Sequence, residues 1–219
     1  MNASLPSLLA RAVLGSWWLD AVLRWRAADI MRKSRLGAHL PASGLLLDLG
    51  AGLGHLAEAV LRGGGRRCVA VDPVWSPPPP LAARLQRGGE GWIRAIHADG
   101  ALLPFAANSF DGAWCAFVLH HLAPDAQERV LAEAARVLRP GAPFVVIEDT
   151  PATGVTVRAD RRLNFEDAAA PHHYRSPCEW RAVLRRHGLP PVSETAFTAV
   201  FPRATLRRVP HRAFLCRLA

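Results

Sequence analysis

The sequence predicts an α/β sandwich: a mostly parallel β-sheet covered by helices on both faces and finished by an antiparallel hairpin. Three observations predict it. Short apolar runs alternate with helical stretches between residues 45 and 149. Buried strands that alternate with helices make a parallel sheet, because each crossover lays a helix on one face. A bare turn carrying Gly50, Gly52 and Gly54 joins the first apolar run to the first of these helices. After residue 190, two β-rich runs (191–202 and 208–218) are joined by a link short enough for a hairpin.

Each element follows from local pattern. Residues 1–40 form a helical extension, a lid or a packing layer, with Leu5, Leu8, Leu9, Ala12, Val13 and Trp17 at helical spacing and Arg11 opposite; residues 41–219 form the main unit. Residues 45–49 (LLLDL) are a buried strand, and residues 54–62 a helix stopped by Gly63, Gly64 and Gly65. Residues 67–72 are the second strand; the proline run 77–80 delays the next helix to 81–87. Residues 92–99 and 110–119 are the third and fourth strands. Residues 125–138 are a helix with Asp125 and Glu128 as a capping box and Pro140-Gly141 as its end. Residues 143–149 are the fifth strand. Residues 176–188 are a helix with Ser176 as N-cap, Pro177 in its first turn, Glu179 completing a capping box and Gly188 as the stop.

Bulk properties narrow the function. A chain of 219 residues, half apolar, has the size of one well-buried domain. It shows no run long enough to span a membrane and no secretory signal pattern, so the cytoplasm is the expected compartment. Cys68, Cys115, Cys178 and Cys216 are scattered without a CxxC pair, so neither a zinc knuckle nor a disulfide framework is expected, and no metal. The net charge of +9 is uneven: +4 over 1–40, −2 over 41–150 and +7 over 151–219. Basic flanks suit an anionic substrate, nucleic acid or an anionic membrane surface, or are simply solvated. Trp17, Trp18 and Trp25 beside Arg24, Arg26, Arg32, Lys33 and Arg35 suit weak contact with such a membrane, a lid, or packing on the sheet.

The glycine turn leaves two ligands in competition. Backbone this bare at a helix N-terminus accepts a ligand at close range. Gly52, Gly54 and Ala57 fit the G-x-G-x-x-A spacing of a dinucleotide site, with Asp72 where a ribose-binding acid belongs. Asp48, two residues before Gly50, argues the other way. A carboxylate there suits a cationic centre, such as the sulfonium and ammonium groups of S-adenosylmethionine, and repels a pyrophosphate. Asp99 closes the third strand, where a carboxylate can accept from an adenine amino group.

The motifs DLGAGLG, VAVDP, HADGALLPFAANSFD, FVLHHL and ARVLRPGAPFVVIED follow in order over residues 45–150. In this span the sequence resembles the class I S-adenosylmethionine-dependent methyltransferases, in the branch that includes quinone-biosynthesis and other small-molecule enzymes. The resemblance implies a Rossmann-like, seven-stranded sheet whose last two strands are the terminal hairpin. It implies a methionine-binding loop at Asp48, Gly50, Gly52 and Gly54, ribose binding at Asp72 with Pro73, adenine binding at Asp99 with Gly100, and a backbone contact at Phe117. PVWSPPPP after Asp72 departs from the family pattern, which starts a helix there at once.

Methyl transfer from a sulfonium is an in-line displacement, so the protein mainly aligns donor and acceptor. A base is needed only when the acceptor must lose a proton. His120, His121 and Glu148 are the candidates, beyond the carboxyl ends of the fourth and fifth strands, where open α/β sheets bind ligands. Histidines in such a position more often pack and hydrogen-bond within the following turn, and Glu148 could simply cap a loop. His172, His173 and Tyr174 fall in a loop expected to border the substrate. Cys178 reads as a plain helix residue. The function expected is methyl transfer to a small organic acceptor, aromatic, quinone-like or lipid-like. RNA methylation, nicotinamide-dependent oxidoreduction and non-catalytic binding of the donor are the alternatives. Nucleic acid is the less favoured partner, because no Asn/Asp-Pro-Pro-aromatic motif follows the fourth strand.

Overall fold

In a computed structural model of the chain, residues 16–62, 64–74, 92–150, 172–200 and 208–219 are described. They form a seven-stranded sheet, β1 Gly44–Leu49, β2 Arg66–Val71, β3 Trp92–Ile96, β4 Gly112–Ala116, β5 Pro143–Asp149, β6 Pro191–Val200 and β7 Arg208–Arg217. The strand order is β3-β2-β1-β4-β5-β7-β6. The first five strands pair in parallel; β7 runs antiparallel to both β5 and β6, so the hairpin inserts its second strand beside the parallel sheet. The order reverses between β1 and β4, and ligands of open α/β sheets bind at such a reversal.

The helices are α1 Ser16–Ser34, α2 Leu36–His39, α3 His55–Leu61, α4 Pro124–Val137 and α5 Pro177–Arg186. Val130, Leu131, Ala134 and Val137 of α4 and Trp180, Val183 and Leu184 of α5 fill the core on one face, against Leu47, Cys115, Phe144 and Phe214. Ile30 of α1 and Ala57 and Val60 of α3 cover the other face, against Leu46, Trp114 and Val145. Strands β1 and β5 are buried along most of their length, as a doubly covered sheet demands.

The N-terminal segment is tied into this frame. The Arg66 guanidinium donates to the carbonyls of Gly37, Pro41 and Val60 at 2.6, 2.8 and 2.9 Å. Asp20 of α1 bonds His55 at the start of α3 (3.0 Å). Lys33 bridges Asp29 and the Thr198 carbonyl of β6 at 2.7 and 2.8 Å. The described part of the extension is thus a packing layer, with Trp25 on its exposed side. Leu5, Leu8, Leu9, Ala12, Val13 and the helix expected at 81–87 lie outside the described residues. Among the described residues, no helix is long and apolar enough to cross a membrane.

Three boundaries differ from the pattern reading. The third strand stops at Ile96 and the fourth at Ala116. The fourth stops because Phe117 takes a left-handed backbone (φ 60°), which no strand can continue. Helix α4 starts from Ala123 without a side-chain cap; Asp125 pairs with Arg129, and Glu128 bonds His187 and Arg186 of α5. By contrast, α5 has both arms of its capping box: Ser176 accepts from the Glu179 N–H (3.3 Å), and Glu179 accepts from the Ser176 N–H (2.8 Å).

Candidate active site

The turn after β1 is anchored before it is a ligand site. The N–H groups of Gly50 and Ala51 both donate to the Val71 carbonyl, at 2.8 and 3.1 Å. Gly50, Gly52 and Gly54 all take positive φ (74°, 54° and 81°). Their demands differ. A Cβ on Gly50 would lie 2.2 Å from a methyl of Val118, so this glycine lets the turn pack on the segment after β4. A Cβ on Gly52 would meet no atom within 4 Å, so the turn is open there. Asp72, at the end of β2, accepts from the Gly52 N–H (2.8 Å) and the Val74 N–H (2.7 Å). One carboxylate therefore fixes both loops, and each oxygen keeps a lone pair for a further donor.

Asp48 lies behind the turn, only 2% exposed, and its Oδ2 has no hydrogen-bond partner. Burial, and then the Asp72 carboxylate, push its pKa well above the usual carboxylate range. Pro73 sits in an exposed turn. Asp99 is exposed, with Oδ1 accepting from the Ala101 N–H (2.9 Å). A Cβ on Gly100 would make ordinary contacts with Val130, 3.6 Å away, so that glycine meets no steric demand. The loops leaving the paired strands β2 and β3 expose Val74 and Leu102, at 74% and 77%, two apolar surfaces of the kind that cover a flat ring.

The other half of the site follows β4. Phe117, held in its left-handed conformation, donates its N–H to the Ile147 carbonyl (2.8 Å). Its ring meets His211 edge-on (5.0 Å), with the Arg26 guanidinium 5.3 Å from the ring centre. Glu148 is fully buried. Its Oε1 accepts from Val118 and Leu119 N–H (3.2 and 2.8 Å), and its Oε2 bonds His120 Nδ1 (2.6 Å). Glu148 and His120 thus organise the turn from behind. Val118, which they hold, is also the residue that Gly50 packs on.

His121 is the exposed member of the pair. Although the residue reaches solvent, its ring packs against His120 and His172 (ring centres 4.1 and 4.6 Å away); that desolvation, and then their charges, lower its pKa, against the opposing pull of Asp149. Sequence reasoning missed His211 of β7. It is buried, bonds the Asp149 carboxylate, and sits between Phe117 and Phe197. With Tyr174, Arg175, Phe197 and Arg212 it lines a cleft of about 770 Å³ between β7, β6 and the start of α5. The only hint in the sequence was a histidine within an otherwise β-like run.

Strand order, hairpin and glycine turn define a class I methyltransferase architecture. Residues 47–146 match the family model described as "Methyltransferase domain". Over that span the chain is similar to that family, and its sheet has the class I methyltransferase strand order. It is 35% identical over 135 residues to a demethylmenaquinone methyltransferase of Thermus thermophilus, a match covering 60% of this chain and 56% of that protein. It is 34% identical to a ubiquinone/menaquinone biosynthesis C-methyltransferase of Paracoccus denitrificans, over 60% of this chain and 48% of that one. The chain therefore spans about half the length of the curated relatives it matches. Among solved structures, a Burkholderia thailandensis 1,6-didemethyltoxoflavin-N1-methyltransferase with bound 1,6-didemethyltoxoflavin and S-adenosylhomocysteine superposes with a TM-score of 0.64. It is 26% identical, and the match covers all of this chain and 92% of that one.

Proposed function

We propose that this chain transfers a methyl group from S-adenosylmethionine to a small, planar, oxygen- or nitrogen-bearing acceptor that enters through the cleft beside His211. The observation that carries the reading is the buried, unpartnered oxygen of Asp48 behind an open glycine turn. A cationic donor satisfies that carboxylate, whereas a pyrophosphate would add repulsion. When bound, S-adenosylmethionine supplies a methyl group already activated on sulfur.

The chain's own residues do the rest. The turn at 50–54 and Phe117 hold the methionine end, and Asp72 takes the ribose hydroxyls with its remaining lone pairs. Asp99 takes the adenine edge, and the exposed Val74 and Leu102 offer apolar surface to the ring. Tyr174, Phe197 and His211 give the acceptor an aromatic enclosure, and Arg175 and Arg212 favour an anionic or electron-rich ring. His211, oriented by Asp149, removes the proton of an acidic acceptor; the carboxylate fixes the ring and stabilises the imidazolium that forms. The quinone and heterocycle methylation named for the relatives fits this enclosure.

The test is a labelled-methyl assay of the full chain with hydroxyquinones, phenols and nitrogen heterocycles, with an RNA arm beside them. Transfer to at least one small planar acceptor is expected. Donor binding with labelling of RNA alone, or with no labelling of any acceptor, would overturn the acceptor assignment.

A further inference from the structure

Next to this site, three imidazoles from two distant segments converge. His120 and His121 lie in the turn after β4, and His172 precedes α5. Their ring centres are 4.1 to 5.6 Å apart, and one ring nitrogen from each lies within 4.8 Å of the others. The two segments are stapled together. His173 N–H donates to the His120 carbonyl (2.7 Å). Gln127, fully buried in α4, donates to the carbonyls of Leu119, Leu122 and His173 (2.9, 3.1 and 3.0 Å) and accepts from Arg175 (2.6 Å).

We propose that His120, His121 and His172 bind one divalent transition ion of the borderline class, such as Zn²⁺, Fe²⁺ or Co²⁺. Three arguments carry this. The first is orientation: Glu148 fixes the His120 ring through Nδ1 (2.6 Å) and Tyr174 fixes the His172 ring through Nδ1 (2.8 Å), in the arrangement that brings one nitrogen of each of the three imidazoles within 4.8 Å of the others. Metal-bound histidines are oriented this way, with a carboxylate or other polar group on the outer nitrogen. The second is charge. Glu148 is fully buried behind the imidazoles, and Asp149 Oδ2 lies 3.9 Å from His120 Nε2; a cation offsets both carboxylates. The third is reach. Metal–nitrogen bonds of about 2.0–2.1 Å put tetrahedral ligand nitrogens roughly 3.3 Å apart, so small ring rotations close the site. Among the described residues the cluster supplies three protein ligands, beside the cleft that Tyr174 also lines. The sequence concealed this cluster because two of its members are adjacent and the third lies about fifty residues further along the chain.

The experiment is a Co²⁺ titration of the chelator-treated full chain without methyl donor, read by visible absorption and by melting temperature. The proposal predicts saturation at one equivalent, d–d bands without a thiolate charge-transfer band, displacement by Zn²⁺ and a raised melting temperature. His121→Ala and His172→Ala each weaken binding at least tenfold, and Tyr174→Phe weakens it up to about tenfold while keeping the bands. The remote His97→Ala leaves binding unchanged. His121→Gln and His172→Gln keep the side-chain volume and guard against loss of fold. Absence of d–d bands in the wild type, or equal Co²⁺ affinity in wild type and these histidine variants, overturns the proposal.

Discussion

At the scale of single residues, Asp48 carries the clearest conflict between stability and binding. Its pKa is raised in the folded chain, so the folded state holds its proton more tightly than the unfolded state does. That contribution to stability is present below about pH 4 and is lost as pH rises through the raised value. Asp48→Asn should therefore stabilise the donor-free protein at neutral pH and flatten its stability profile above about pH 4, with about 2–4 °C in Tm for each kcal/mol recovered. The same variant should bind S-adenosylmethionine more weakly, and melting curves with and without donor check both effects. His211→Asn should lower kcat by about 10²–10⁴ for acceptors that must lose a proton while leaving donor affinity intact, as single-turnover assays would read. Asp48 was legible in the sequence from its distance to Gly50. Its burial followed from the buried-strand reading of residues 45–49, but the unpartnered oxygen did not, because that depends on which side chains of the neighbouring strands reach it. His211 was not legible as a site residue, because only the insertion of β7 beside β5 sets it against Asp149.

At the scale of elements, the glycine turn separates two demands that look alike in sequence. Gly50→Ala should cost about 1–3 kcal/mol from the clash with Val118, beyond the roughly 1–2 kcal/mol for left-handed backbone. Gly52→Ala should cost only the backbone part in stability yet weaken donor binding, because its Cβ enters open space on the ligand side. Urea denaturation paired with donor titration distinguishes them. Helix α5 offers a second measurement: Ser176→Ala should cost about 0.5–2 kcal/mol, because it removes the cap of a helix whose Trp180 fills the core. That helix was legible almost to the residue, since capping chemistry is local. Helix α4 shows the limit of the same rule. Asp125 and Glu128 have capping-box spacing, but Glu128 is drawn to α5 by His187 and Arg186. Periodicity placed the strands, whereas their ends were set by tertiary events such as the turn of Phe117.

At the scale of the whole molecule, strand order explains why one end of the sheet holds both halves of the proposed site. The reversal between β1 and β4 opens the crevice, and Val118 packs on the glycine turn while Glu148 and His120 fix it from behind. The glycine turn and the turn after β4 are therefore packed together, and Glu148 holds the second of them by hydrogen bonds. The basic character of the C-terminal third reaches the site through Arg175 and Arg212, which line the cleft. This favours an anionic or electron-rich small molecule there. Fold class and donor class were legible because five motifs keep their spacing. The cleft proposed for the acceptor was not, because it is assembled from β6, β7 and the segment before α5, which carry no motif.

Calorimetric titration of S-adenosylmethionine into the purified full chain tests the central claim most directly. The account predicts one saturable site, competition by S-adenosylhomocysteine and no heat from NAD. Asp72→Ala should weaken binding by roughly 1.5–3 kcal/mol, about tenfold to a hundredfold. A chain that gives no heat with the donor, or binds NAD in its place, would contradict the account.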